Sequence, residues 1–143
     1  MGCHNSPMTH DAEKLAYIAG FFDGEGCVSV HIRHTRNVFP STSPRLTITQ
    51  KDPRTLLWIQ EYLGMGYLSK RTKSGCHVLQ IGALADVVRF AELIGPYTRD
   101  KKAKLTLAVK MANTQYNQRH LVAEEYFQKF GRGPAKAGKR RQP

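Results

Sequence analysis

Cysteine, acidic residues and long apolar runs are all scarce in this chain of 143 residues. Its 3 cysteines, Cys3, Cys27 and Cys76, are odd in number and widely scattered. They make no disulfide framework of the kind that staples small secreted domains, and no Cys-x-x-Cys pair spaced for zinc. A reducing compartment is the expected home. The longest nearly apolar run, residues 15–22, falls far short of the roughly 18–20 residues that span a bilayer. It follows Asp11, Glu13 and Lys14 in place of a purely basic leader, so it reads poorly as a signal peptide. Secreted and membrane-spanning readings are set aside in favour of an intracellular protein. Acid is scarce beside base: 11 Asp and Glu against 22 Lys and Arg give a formal net charge of +11. Such an excess calls for a polyanionic partner, either nucleic acid or an anionic membrane surface.

With 41% hydrophobic and 23% charged residues, the chain has the composition and length of one globular domain. Residues 1–11 read as a flexible arm, 12–130 as the folded domain, and 131–143 as a basic flexible tail containing Lys136, Lys139, Arg140 and Arg141. Thr9 or Asp11 can cap a helix over 12–22 that ends at Gly24 and Gly26. Strict alternation follows, with Val28, Val30 and Ile32 on one face of a strand and Cys27, Ser29, His31 and Arg33 on the other. Residues 37–44, with two prolines, read as a loop before a second strand with Leu46 and Ile48 inward. Asp52 and Pro53 open a helix that Gly64 and Gly66 stop. A hairpin over 67–72 and 76–81 flanks Lys73-Ser74-Gly75, and helices over 84–94, 101–113 and 121–130 complete an α-β-β-α-β-β-α-α-α order.

One face of the resulting four-stranded sheet is apolar and suits a cover of helices. The other carries Ser29, His31, Arg33, Arg45, Thr47, Tyr67, Ser69, Arg71, Val78 and Gln80. None is acidic, whereas an ordinary solvated face mixes both signs of charge. That uniformity points to a nucleic-acid platform, with Lys70 and Lys73 as phosphate contacts beside it. A two-stranded ribbon fits a major groove. A strand of about seven residues spans about 23 Å, the length of roughly seven base pairs. Two copies with their loops would then read on the order of 20 base pairs.

The first helix breaks the usual pattern. Residues 15–22 are apolar all round: Leu15, Ile18 and Phe22 form one stripe, and Ala16, Ala19, Gly20 and Asp23 form another of small side chains. A helix greasy on every side must be covered on every side. Either it is the centre of a monomeric core, or the small stripe receives the same helix of a second copy in a two-fold homodimer. Its end, Asp23-Gly24-Glu25-Gly26, sets two carboxylates where the helix dipole is already negative and carbonyls project. A hard divalent cation such as Mg²⁺ or Mn²⁺, which takes carboxylate and backbone-carbonyl oxygens, compensates that arrangement; otherwise Asp23 caps or turns the chain and Glu25 is solvated.

The run Ile18-Ala19-Gly20-Phe21-Phe22-Asp23-Gly24-Glu25-Gly26 resembles the signature of the LAGLIDADG homing endonucleases. The order of elements, the strand ending Thr49-Gln50-Lys51-Asp52, and Gly64-Met65-Gly66-Tyr67 before the third strand extend the likeness over residues 12–111. The resemblance implies an α+β fold: an αββαββα core with a saddle-shaped antiparallel sheet of four strands, helices on one face. Because one copy of the motif is present, it also implies a homodimer joined through the motif helix, acting on a pseudo-palindromic double-stranded DNA site. Carried across by position, Glu25 is the metal-binding acid with the Gly24 carbonyl beside it, and Asp23 matches an acid that is usually structural. Gln50 matches the residue that organises attacking water, Lys101 the basic residue of the catalytic pocket, and Arg54 a second basic position. Arg99 and Lys102 flank Lys101 and compete for its register.

The implied chemistry is metal-assisted hydrolysis of both DNA strands by in-line attack of water. The alternative is a binding protein of the same fold that does not cleave, a transcriptional regulator or an RNA-intron maturase. A peripheral membrane protein is a third reading, which only the stretch 101–110 faintly supports.

Overall fold

Residue 11 starts the first helix as its sequence position suggests. The carboxylate of Asp11 accepts a hydrogen bond from the Glu13 N–H (2.8 Å) and caps α1, Ala12–Glu25. The structure, a computed structural model, describes residues 10–131 other than 35, 37 and 39. Most of the expected arm and the basic tail therefore lie outside the described residues, Lys136, Lys139, Arg140 and Arg141 among them.

After α1 come β1 (Gly26–Arg33), β2 (Ser41–Gln50), α2 (Arg54–Leu63), β3 (Tyr67–Lys70), β4 (His77–Ile81), α3 (Leu84–Ile94) and α4 (Lys102–Ala112). A short 3₁₀ turn, Tyr116–Gln118, leads into α5, Arg119–Phe130. The order matches the alternation of periods along the chain. Several boundaries differ by a few residues, and three of them have a visible cause. α1 runs on to Glu25, because Gly24 continues a helix as well as it ends one, and Gly26 then caps it by donating to the Phe22 carbonyl. β2 starts at Ser41, so part of the expected loop over 37–44 is strand. Pro44 is tolerated there because it pairs with Val30 on one side while the ladder to β4 starts only at Leu46, leaving the other edge open. α2 begins at Arg54, with Pro53 as its capping residue.

The four strands form one antiparallel sheet in the order β1-β2-β4-β3. Helices cover its apolar face, where Val28, Leu46, Ile48, Leu79 and Ile81 meet Ile18, Phe22, Leu56, Ile59 and Phe90 in one core. The Phe22 and Phe90 rings meet edge to face at 5.2 Å. Tyr126 of α5 reaches the same sheet and donates its hydroxyl to the Val28 carbonyl (2.8 Å); burial, then the nearby Cys27, pushes that phenol up to about 12. Among the described residues no helix is long and apolar enough to cross a membrane.

Register fixes where the chemistry gathers. Gly26 pairs with Ile48, and Gln50 pairs with His77, so the end of α1 and the end of β2 arrive at the same end of the sheet.

Candidate functional site

The acidic end of α1 divides its two carboxylates between different tasks. Asp23 is half-buried, and its oxygens accept backbone N–H bonds from Arg99 (2.7 Å) and Lys101 (3.2 Å). The side chain thus ties the chain just before α4 to α1. Each oxygen is engaged once in this way, so Asp23 serves as a tether whatever acceptor capacity it keeps for a cation. Glu25 is exposed and makes no hydrogen bond or ion pair to another described residue. It is the carboxylate left free to act.

Helix ends leave carbonyls unpaired. Here the Phe22 carbonyl accepts from Gly26, and the Asp23 carbonyl accepts from Lys101 Nζ (2.5 Å). A lysine ammonium at a helix C-terminus is favourable against the dipole. Of the three cationic residues that compete for this place by sequence, Lys101 is half-buried and bonded to the motif helix, while Arg99 and Lys102 are exposed. Among the described residues no group of three or more His, Cys, Asp or Glu side chains is assembled to hold a metal. The oxygens one chain can offer here are those of the exposed Glu25 carboxylate, the Gly24 carbonyl and the tethered Asp23 carboxylate, a set short enough that a hard cation would keep waters or take oxygens from another molecule.

Gln50, half-buried, ends β2 at this end of the sheet, and α2 begins four residues later with Arg54. α2 lies against α1 in the opposite sense. The Asp11 N–H donates to the Tyr62 hydroxyl (2.6 Å), and Tyr17 packs on Trp58 at 5.7 Å between ring centroids. Arg54, one turn before Trp58, lines a hollow with Asp11, the cap of α1, and with Lys14 and Tyr17 of its N-terminal half. Its guanidinium is turned onto Asp52: Nε meets both carboxylate oxygens (3.1 and 3.0 Å) and Nη2 meets one (2.6 Å). That pairing holds the Asp52 carboxyl down at about 2. The Asp52–Arg54 clasp is a feature that reading residue by residue missed, although an Asp two places before an Arg at a helix start was its signal.

On the sheet, strand pairing puts Ser29 beside Arg45, Thr47 beside Gln80, Gln80 beside Tyr67, and Val78 beside Ser69 on one face, together with His31 and Arg33. His31, Arg33 and Tyr67 are exposed, and Ser29, Arg45, Thr47, Ser69 and Gln80 are partly so. Val78 is the exception. It is only 4% exposed, covered by its neighbours, and presents nothing to a groove. Partial burial, then the charges of Arg45 and Arg33, lower the His31 pKa below its ordinary value. Lys70, Arg71 and Lys73 are exposed at the β3–β4 hairpin. An acid does border this face: Asp86, in the first turn of α3, lines a hollow with Arg45, Tyr67 and Gln80.

α1 is greasy all round, but the chain covers only part of it. Leu15, Ile18, Ala19 and Phe22 are buried, whereas Ala16, Tyr17 and Gly20 are exposed, Tyr17 by 55%. Among the described residues, α1 is therefore not the centre of a closed core. Ala19 turns inward with Ile18 and Phe22, at 0% exposure, so it packs the chain's own core and cannot line a contact with another copy. The open strip is Ala16, Tyr17 and Gly20.

Comparison with known proteins places these features in context. Residues 18–90 match the LAGLIDADG endonuclease family. The DNA endonuclease I-CvuI of Chlorella vulgaris is 31% identical over 114 residues, covering 74% of this chain and 70% of that protein. The crystal structure of the homing endonuclease I-CvuI, in complex with the I-CreI target in the presence of Mg, is similar with a TM-score of 0.71. Its sequence is 27% identical, over 81% of this chain and 76% of that one. The archaeal intron-encoded homing endonuclease I-Vdi141I, complexed with DNA, has a TM-score of 0.74 at 26% identity, over 89% of this chain and 90% of that one.

Proposed function

This chain belongs to the LAGLIDADG endonuclease family, and on that premise we propose that it is a homing endonuclease. It acts as a homodimer and hydrolyses both strands of a long pseudo-palindromic DNA duplex with the help of divalent metal ions. The exposed strip of Ala16, Tyr17 and Gly20 is the contact between the copies, which brings two acidic helix ends together at the two-fold axis. The sheet face lies in the major groove, where Arg33, Arg45, Thr47, Tyr67 and Gln80 read base edges. Lys70 and Lys73 hold phosphates. A soluble life inside the cell, next to DNA, follows from that role.

The donors present suit a hard cation: a free carboxylate, Glu25, and a carbonyl, that of Gly24, at a negative helix end. Magnesium is the expected ion, with manganese a working substitute. When bound, such an ion lowers the pKa of water and offsets charge on a phosphate. Glu25 and Gly24 hold it. Lys101 spends one of its three N–H donors on the Asp23 carbonyl and turns the others to charge that develops on the scissile phosphate. Gln50, with both a donor and an acceptor, orients the attacking water. Arg54 contributes a second cation beside the phosphate path.

One observation carries this reading: an unpaired Glu25 carboxylate at the tip of the motif helix, with Lys101 bonded to the same tip. A plasmid library with randomised inserts, incubated with the protein and Mg²⁺, should yield a set of linearised members sharing one site. A chelator should stop the cleavage. Glu25→Gln should lose it as well while still shifting that site in a gel. A wild-type protein that binds the selected site in Mg²⁺ or Mn²⁺ but never cuts it would return the fold to the role of a regulator.

A further inference from the structure

We infer that Asp52 is a positioning residue of the cleavage reaction, clasping one edge of the Arg54 guanidinium and leaving the opposite edge for a phosphate oxygen. The inference rests on the reading of Arg54 as a phosphate contact, and it adds a residue that the motif does not include. The geometry is specific. The Arg54 backbone N–H donates to Asp52 Oδ1 (3.0 Å), which fixes the direction of the carboxylate. That carboxylate then takes Nε and Nη2 at 2.6–3.1 Å. A guanidinium has five N–H donors in a rigid fork, so this grip leaves one Nη1 proton and the second Nη2 proton side by side on the free end, a match for two phosphate oxygens.

An exposed ion pair contributes little to stability, and this one is exposed on both sides. A carboxylate close to a DNA backbone also opposes binding. Asp52 is thus poorly explained as a stabiliser or as a DNA contact, and well explained as the group that gives a long mobile arginine one orientation. Neighbouring bonds hold the turn itself. His77 Nδ1 lies 3.0 Å from the Lys51 carbonyl, on the strand next to Gln50. The clasp therefore sits at the same end of the sheet as Gln50.

The competing explanation is that Asp52 only caps α2. Asp52→Ser separates the two, since a serine hydroxyl can still accept the Arg54 N–H but cannot reach the guanidinium. On the site selected above, Asp52→Ser should cut single-turnover cleavage about ten- to hundredfold. DNA affinity should be equal or tighter, and the melting temperature unchanged. The double variant with Arg54→Ala should be no slower than Arg54→Ala alone, because Asp52 acts through that arginine. Full-rate cleavage by Asp52→Ser while Arg54→Ala is slow overturns the inference, as does slowing that adds in full to that of Arg54→Ala. If Arg54→Ala itself cleaves normally, the phosphate role of Arg54 fails first and the clasp with it.

Discussion

Asp23 and Glu25 stand two residues apart on one helix end, and only long-range structure tells them apart. The alternative roles were visible in the motif, but the amides that claim Asp23 come from residues 99 and 101, far along the chain. Local spacing carries no trace of that approach. The two acids should therefore fail differently. Asp23→Ala removes two charge-assisted bonds from a half-buried site and should cost about 1–3 kcal/mol in chemical denaturation. It should also slow cleavage, because the Lys101 backbone loses its tether while only the bond from Nζ to the residue 23 carbonyl remains. Glu25→Gln should leave stability within about 0.5 kcal/mol of wild type, as an exposed side chain without partners should, while abolishing cleavage. Equal losses of stability in the two variants would merge the roles that the hydrogen bonds separate. His31 gives a prediction of another kind. Its pKa is lowered, so on acidification it takes up a proton later than a free histidine and is neutral at pH 7.5. Once protonated it is cationic on the face proposed to meet DNA. The salt dependence of DNA binding should then steepen on going from pH 7.5 to pH 5, by less in His31→Gln than in wild type.

At the scale of elements, α1 has to satisfy two environments at once. Toward the sheet it packs Leu15, Ile18, Ala19 and Phe22; away from it lie Ala16, Tyr17 and Gly20. Among the described residues a Cβ at Gly20 meets nothing within 4 Å, so Gly20→Glu should fold normally. Placed in a face that must meet its own copy, the charge should yield a monomer in sedimentation and weaken binding to the full DNA site. Gly26 is the contrast. A Cβ there would come within 2.7 Å of the Phe22 carbonyl oxygen and strike the Phe22 ring, so Gly26→Ala should destabilise the fold itself. Much of this architecture was legible in the chain because both periods are clean. Alternation from Cys27 to Arg33 and from Arg45 to Thr49 marks the strands, and glycines at 64 and 66 mark the stop of α2, where Gly64 takes a left-handed conformation. What was not legible depended on neighbours. Pro44 reads as a loop until the open edge beside it is known, and Ala19 reads as part of a small-residue seam until the sheet beneath it is seen. Val78 alternates correctly onto the DNA face yet is covered there, since strand parity fixes a direction and says nothing of what lies over it.

For the molecule as a whole, the decisive quantity is how many of its surplus charges meet phosphates. A chain with a net charge of +11 binds any duplex to some degree, and that part of the affinity falls with salt in proportion to the phosphates neutralised. Lys70 and Lys73 are exposed at the β3–β4 hairpin and, as the phosphate contacts proposed above, fall in that class. Removing both should weaken selected and unrelated DNA by similar factors, leaving preference intact. Arg45, between Ser29 and the hollow that Asp86 borders, should behave in the opposite way: Arg45→Ala should cost about 1–3 kcal/mol on the selected site and relax preference at one position of each half-site. The lysine variant also counts chains. Each phosphate contact contributes about 0.9 to the slope of log affinity against log salt. Losing two lysines should flatten that slope by about 1.8 if one chain binds the site, and by about 3.6 if two do. A change near the larger figure on the full site, and near the smaller one on an isolated half-site, is what two copies joined through α1 require.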